Sequence, residues 1–256
     1  MSDAGVTLIT GAGSGMGRLA AQRWAHRGAS VAALDVNEAG LEETCKAQQL
    51  ITPHRVDVTD GDAVAEAVAR IERDQGPVKR VYSAAAIMPL GRILDQPREV
   101  IHKVMEINYS GVVNVAKAAL PPMLERGAGD FINFASMAGW LPTLYMGAYD
   151  ASKFAVVAFS EILYHENRNR GVRFACVCPP PVRTPLLNQA RDTVWPKFFD
   201  QIAHLEPETV LDAIEQALER GEFFVFPGKG TRLGWRLRRW FPDLLWRRIH
   251  AAEDAS

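Results

Sequence analysis

Cysteine is scarce in this sequence: three residues in 256, Cys45, Cys176 and Cys178. An odd count makes no closed set of staples, which excludes a disulfide scaffold. Cys176 and Cys178 form a C-x-C inside an apolar run, which reads as buried thiols on opposite faces of a strand rather than a metal pair. No apolar run reaches the roughly 18 residues of a bilayer-spanning helix. The opening Met-Ser-Asp-Ala-Gly lacks the basic and apolar regions of a secretory leader, so the expected location is cytoplasmic. Net charge is nearly absent, with 29 Lys+Arg against 30 Asp+Glu, and this removes any global case for a nucleic-acid partner. No metal site is expected.

Hydrophobic residues make up 48% of the chain, enough for a sizeable core and against general disorder. Short apolar runs alternate with longer helical patterns. Strands are predicted over 6–10, 30–34, 51–56, 79–83, 130–135, 172–178 and 223–226. Helices are predicted over 16–26, 38–49, 60–72, 100–120 (bent near Asn108), 149–167 and 207–220. Such alternation predicts a mostly parallel sheet buried on both faces. The expected architecture is α/β, a Rossmann-like doubly wound parallel sheet. It is a single domain in three α/β/α layers, with a C-terminal helical extension.

The first predicted strand runs into Thr10-Gly11-Ala12-Gly13-Ser14-Gly15-Met16-Gly17 and then a helix. Glycines there permit a tight turn and close phosphate approach, and the helix start offers free N–H groups to a pyrophosphate. Asp35 closes the second strand, 18 residues after Gly17. A carboxylate at that point accepts hydrogen bonds from both hydroxyls of an adenosine ribose and repels a 2′-phosphate. Ser14 is not basic, and Val36 and Asn37 follow Asp35, so NAD is favoured over NADP. Asp57 and Val58 close the third strand and suit an adenine ring. Ala84, in Ser83-Ala84-Ala85-Ala86 after the fourth strand, lets the backbone approach a flat cofactor.

Tyr149 and Lys153 lie four apart on a predicted helix and share one face. A lysine cation stabilises a phenolate and lowers its pKa. Ser136, after the fifth strand, is placed to hold a substrate oxygen beside Tyr149. With the glycine loop, these residues make the chain resemble the classical short-chain dehydrogenase/reductase family over about residues 5 to 227. The glycine motif matches Thr10 to Gly17, the catalytic serine Ser136, the Y-x-x-x-K motif Tyr149 to Lys153, and the helix asparagine Asn108.

The resemblance implies NAD-dependent interconversion of an alcohol and a ketone, with Tyr149 as acid/base and Ser136 on the substrate oxygen. Lys153 would stabilise the phenolate and bind the nicotinamide ribose. Asn108 would hold a helix distortion and a water that links Lys153 to solvent. Two departures stand out. Ser83 to Ala86 replaces the family's Asn-Asn-Ala-Gly or Asn-Ala-Ala-Gly, and Pro179-Pro180 replaces Pro-Gly. Proline cannot adopt a positive φ, so the loop carrying the expected cofactor contacts Pro179, Val182 and Thr184 must follow another path.

The residues expected on the substrate are apolar: Ala138, Trp140, Met146, Leu186 and Leu187, beside Ser136 and Tyr149. They favour a hydrophobic secondary alcohol or ketone such as a steroid, terpenoid, aryl alcohol or long-chain lipid. The alternatives are a 3-oxoacyl thioester reductase and a catalytically silent NAD-binding scaffold. The family implies a homodimer or homotetramer joined through the helices at 100–120 and 149–167.

Residues 1–228 are expected to form the dehydrogenase domain, with a substrate lid at about 184–205, and residues 229–256 a basic, tryptophan-rich helical extension. Between Lys229 and Arg248 there are seven basic residues and one acid, a net +6 against −7 for the remainder. Trp235, Trp240 and Trp246 lie in the same stretch, and Phe241-Pro242 predicts a break into two helices. Three roles compete for it: a subunit interface, a lid over its own pocket, or peripheral membrane contact through residues 231–249.

Overall fold

The computed structural model describes residues 5–191 and 193–254. Seven strands form one parallel sheet in the order β3-β2-β1-β4-β5-β6-β7. They are β1 Val6–Thr10, β2 Ser30–Asp35, β3 Ile51–Arg55, β4 Val78–Ser83, β5 Gly129–Phe134, β6 Val172–Val177 and β7 Phe224–Val225. The first six overlap their predicted runs closely, and the seventh is shorter than its run. Each residue of β1 is buried, as a strand covered on both faces requires. Pro53 is accommodated because β3 lies at the sheet edge, where a missing N–H breaks no ladder.

Helices connect the strands: α1 Gly15–His26, α2 Glu38–Cys45, α3 Gly61–Asp74, α4 Arg98–Met105 and α5 Gly111–Arg126. Further on are α6 Gly147–Asn167, α7 Pro185–Arg191, α8 Pro207–Arg220, α9 Thr231–Trp240 and α10 Pro242–Asp254. Local chemistry fixes several ends. The Asp60 carboxylate caps α3 by accepting from Ala63 N at 3.0 Å, and Pro207 opens α8. Val64, Ala67, Val68 and Ile71 form the buried stripe of α3. Burying each of its larger side chains contributes about 1.5–3 kcal/mol.

Successive strand residues feed opposite core clusters. Ile9 packs with Ala20, Ala21, Ile214 and Leu218, from α1 and α8. Leu8 packs with Val64, Val68, Val115 and Ala119, from α3 and α5. Cys176 and Cys178 instead share one buried cluster and are free thiols, so the expectation of opposite faces is wrong. Side chains two apart on a strand lie on the same face.

The long predicted helix over 100–120 is in fact α4 and α5 joined by a π-turn at Glu106–Ser110, with Asn108 in its middle. The strand order reverses between β1 and β4, each of which starts crossovers in opposite directions along the sheet. The crevice at the carboxyl ends of such strands is where α/β sheets bind ligands.

Candidate active site

One continuous cavity of about 1280 Å³ occupies this crevice. Its inner end is the loop after β1. Gly11 has φ +68°, and a Cβ there would come within 2.8 Å of the Ala85 Cα. Gly15 has φ +49° and faces Thr184. A Cβ on Gly17 would collide with the Gly11 carbonyl, so only glycine lets α1 start this close to its own loop. Thr10 Oγ1 accepts from Ala84 N at 3.1 Å, which ties the end of β4 to the glycine loop. The Asp35 carboxylate accepts from Gly13 N at 2.8 Å and Asn37 N at 2.9 Å. Asp57 is held by the Thr59 amide and hydroxyl. Arg18 adds support that the motif does not advertise, donating to the Gly13 carbonyl at 2.5 Å and to Thr44 Oγ1 at 3.1 Å.

Beyond this end stand Ser136, Tyr149 and Lys153. Ser136 leaves β5 extended and caps a 3-10 turn, Met137–Gly139, accepting from Ala138 N at 3.1 Å. Gly139 lets that turn press on α6, since a Cβ would lie 2.7 Å from the Lys153 carbonyl. The Ser136 hydroxyl lies close to the Tyr149 hydroxyl and favours its ionised form. Lys153 Nζ donates to the Phe134 carbonyl at 2.8 Å and lies 5.6 Å from the centre of the Tyr149 ring. Burial pushes the Tyr149 hydroxyl well above its ordinary pKa, with the Ser136 hydroxyl opposing the shift, and pulls Lys153 down to about 8.

Asn108 is fully buried and does not line the cavity. Its side chain accepts from Ile87 N at 2.8 Å and donates to the Ile87 carbonyl at 3.0 Å and Ser152 Oγ at 3.0 Å. Ser152 Oγ in turn donates to the Tyr149 carbonyl at 2.7 Å. This link from the β4 loop to the helix bearing Tyr149 was not read from the sequence.

Ser14, Met16, Val58, Ala84, Pro179, Val182 and Thr184 all line the cavity, with the glycines, Asp35 and Asp57. The Pro179-Pro180 loop is carried by other bonds: Pro179 O accepts from Met137 N, Pro181 O from Leu205 N, and Leu205 O from Arg183 N, each at 2.9 Å. At the apolar end, Ala138, Met146, Leu186 and Leu187 line the wall as expected. Trp140 does not. The 3-10 turn sends its ring away from the cavity, onto Phe224, Phe226 and Trp235, with Nε1 3.3 Å from Cys178 Sγ.

The break at Phe241-Pro242 occurs as expected, and α9 and α10 roof the apolar end of the chain's own cavity. Trp235 stacks on Phe226, with centroids 5.4 Å apart at 19°. At the other side, Phe198 N donates to Glu253 at 3.2 Å, and Ile249 is fully buried. Two further residues join α7 to the loop after β4: Gln189 accepts from Met88 N at 2.9 Å, and Thr193 from Leu90 N at 3.2 Å. Their polar side chains gave no local signal in the sequence.

A family model described as short chain dehydrogenase matches residues 5–195. The chain belongs to that family. The match includes the glycine loop, Asn108, Ser136, Tyr149 and Lys153, and ends before α8, α9 and α10. Rat estradiol 17-beta-dehydrogenase 11 is 30% identical over 261 residues, covering 98% of this chain and 85% of its own. Human epidermal retinol dehydrogenase 2 is 29% identical over 232 residues, 88% of this chain and 74% of its own. A Burkholderia phymatum short chain dehydrogenase/reductase solved in complex with NAD superposes with a TM-score of 0.84 at 28% identity, covering 94% of this chain and 95% of that one. Named family relatives are thus oxidoreductases of alcohols and ketones.

Proposed function

We propose that this protein is an NAD-dependent oxidoreductase that interconverts a hydrophobic secondary alcohol and its ketone. The observation that carries this reading is Tyr149, lining the cavity with Ser136 and Lys153 where its glycine-lined end meets its apolar end. The glycine cradle fits a dinucleotide: Gly11, Gly15 and Gly17 line the cavity where α1 begins and its first N–H groups lie free for a pyrophosphate. Asp35 fits an unphosphorylated ribose diol, so NAD is the preferred form.

When bound, the nicotinamide supplies the hydride acceptor or donor. Everything else is work for this chain's side chains. Ser136 holds the substrate oxygen, and Tyr149 takes the hydroxyl proton in oxidation and returns it in reduction. The Lys153 ammonium stabilises the phenolate and reaches the nicotinamide ribose. The π-turn at Asn108 marks the route by which the proton returns to solvent from Lys153. Leu186 and Leu187 bear on the apolar body of the substrate, under the roof formed by α9 and α10.

Two further properties belong to this reading. Phe154 and Ile162 are exposed on α6, and with α4 and α5 they form the face for a homodimer or homotetramer. On α9, Leu233, Leu237 and Trp240 form an exposed apolar stripe, and Arg232, Arg236 and Arg239 repeat the same spacing one residue earlier. Parallel apolar and cationic stripes suit peripheral contact with an anionic membrane surface by a cytoplasmic protein. Among the described residues no helix is long and apolar enough to cross a membrane.

The test is a panel of apolar secondary alcohols with NAD⁺ and NADP⁺, followed by absorbance of the reduced cofactor. Turnover that prefers NAD⁺ and rises with substrate apolarity is expected. Tight NAD⁺ binding with no turnover of any alcohol or ketone identifies a scaffold instead, and NADP⁺ preference overturns the reading of Asp35. Retention on anionic but not zwitterionic vesicles tests the α9 stripe.

A further inference from the structure

The roof of the cavity carries charge where its own pattern calls for apolar residues. Gly234, Arg238, Phe241, Leu245 and Arg248 all line the cavity and follow one another at steps of four, three, four and three. Thr231, Leu237 and Leu244 line the cavity beside them, and Phe241 and Arg248 also reach solvent. Two of the eight lining positions from Thr231 to Arg248 are arginine.

Among the described residues neither arginine has a counter-charge, and only Arg238 is part-buried. Arg238 Nε is buried without a hydrogen-bond partner. Among the described residues neither Arg238 nor Arg248 forms an ion pair or a side-chain hydrogen bond. Arg232, on the outer side of α9, does find a carboxylate, Glu222 at 3.3 Å. The only carboxylates on the cavity wall among the described residues are Asp35 and Asp57. They stand at the glycine-loop end and are already hydrogen-bonded there. A buried guanidinium donor left unpaired is costly, and a carboxylate or phosphate is the partner that best satisfies its planar fork.

We propose that Arg238 and Arg248 bind an anionic group at the end of the substrate remote from its alcohol or ketone. The substrate class is then an amphiphile. Its reacting carbon sits at Tyr149, its apolar body lies along Leu141, Leu186, Phe198 and Ile202, and its anion lies under the roof. This inference rests on the reading of the cavity as a hydrophobic alcohol site and sharpens it. The anion has two chemical sources, the terminal carboxylate of a hydroxy or oxo fatty acid and the phosphates of a thioester carrier.

The experiment compares a secondary-alcohol fatty acid, its methyl ester and the coenzyme A thioester of a 3-hydroxy acid as substrates. At least one anionic substrate is expected to exceed the neutral ester in kcat/KM by about tenfold, equivalent to ~1.4 kcal/mol. The free acid leading assigns a carboxylate, and the thioester leading assigns a carrier phosphate. In R238Q and R248Q the ratio of anion to ester falls toward one, and R238K retains part of it. Equal rates for ester and both anions in the wild-type protein, or a ratio unchanged in both glutamine variants, overturns the proposal.

A second measurement needs no turnover. Dodecanoate raises the melting temperature of the wild-type protein more than dodecanol does, and R238Q removes the difference. Failure of every alcohol to react defeats the assigned activity, while this shift still decides the anion site. Equal shifts by dodecanoate and dodecanol count against it.

Discussion

The indole of Trp235 meets the indole of Trp140 edge to face, with ring centroids 5.5 Å apart at 66°. One ring belongs to the roof helix α9, and the other follows the turn that carries Ser136. Replacing Trp235 with alanine removes this contact and the stack on Phe226. At about 0.5–1.5 kcal/mol per aromatic pair, the loss is roughly 1–3 kcal/mol. The roof should loosen while the sheet stays intact. KM for an apolar substrate is expected to rise with little change in kcat, and limited proteolysis should cut faster at Gly228-Lys229-Gly230. Unchanged KM and cleavage would count against the roof.

Asn108 joins two segments that carry no covalent link near the site. Asn108→Ala orphans the Ile87 N–H and C=O, and each unsatisfied buried group costs about 1–3 kcal/mol. Ser152→Ala removes a single neutral bond from the same chain of contacts and should cost only about 1 kcal/mol. Urea unfolding should therefore rank wild type above Ser152→Ala, and Ser152→Ala above Asn108→Ala. The reverse order would show that the clamp is not what holds the β4 loop.

Asp150 follows Tyr149 yet faces away from the cavity. One carboxylate oxygen accepts from Thr143 N at 2.9 Å, and the other is buried without a partner. Burial raises its pKa to about 8, against the Thr143 bond. The unfolded chain ionises this group in the ordinary carboxyl range, and the folded chain resists until about pH 8. Its contribution to stability is thus full at low pH and is lost as pH rises toward 8. Asp150→Asn should raise the melting temperature more at pH 8 than at pH 4.5. A pH-independent difference between the two proteins would contradict this.

Tyr149→Phe keeps the ring and deletes the hydroxyl near Ser136. General acid–base catalysis contributes about 10²–10⁴-fold, and kcat should fall by that order. Nucleotide binding, followed by quenching of tryptophan fluorescence, should persist. Lys153→Met should lose turnover as well, and also weaken nucleotide binding if the lysine reaches the ribose. A Tyr149→Phe protein with near-normal kcat would remove this tyrosine from the chemistry.

Much of this was legible in the sequence because its causes are local. The βα rhythm comes from apolar runs and their punctuation by glycine and aspartate. The glycine loop, Asp35, and the spacing of Tyr149 and Lys153 announce themselves within a few residues. Pro242 breaks the terminal helix through its own ring and missing N–H. What escaped depends on contacts between distant segments. Trp140 looks like a pocket residue by position, but the turn after Ser136 aims it at β7 and α9. Gln189 and Thr193 serve backbone amides about a hundred residues away, and nothing beside them says so. The inward arginines of α9 and α10 were read as part of a general basic tail, since which face met the cavity depended on the docking of both helices. The shared face of Cys176 and Cys178 follows from period-two geometry alone.

The roof comes from the far end of the polypeptide, whereas β1, the glycine loop and Asp35 come from its first few dozen residues. A ribosome makes these in order. The nucleotide cradle, β1 to β6 and the Tyr149 helix all precede in the chain the residues that enclose the apolar chamber. During its own synthesis the enzyme is open on the greasy side, and only translation of α9 and α10 shuts that chamber.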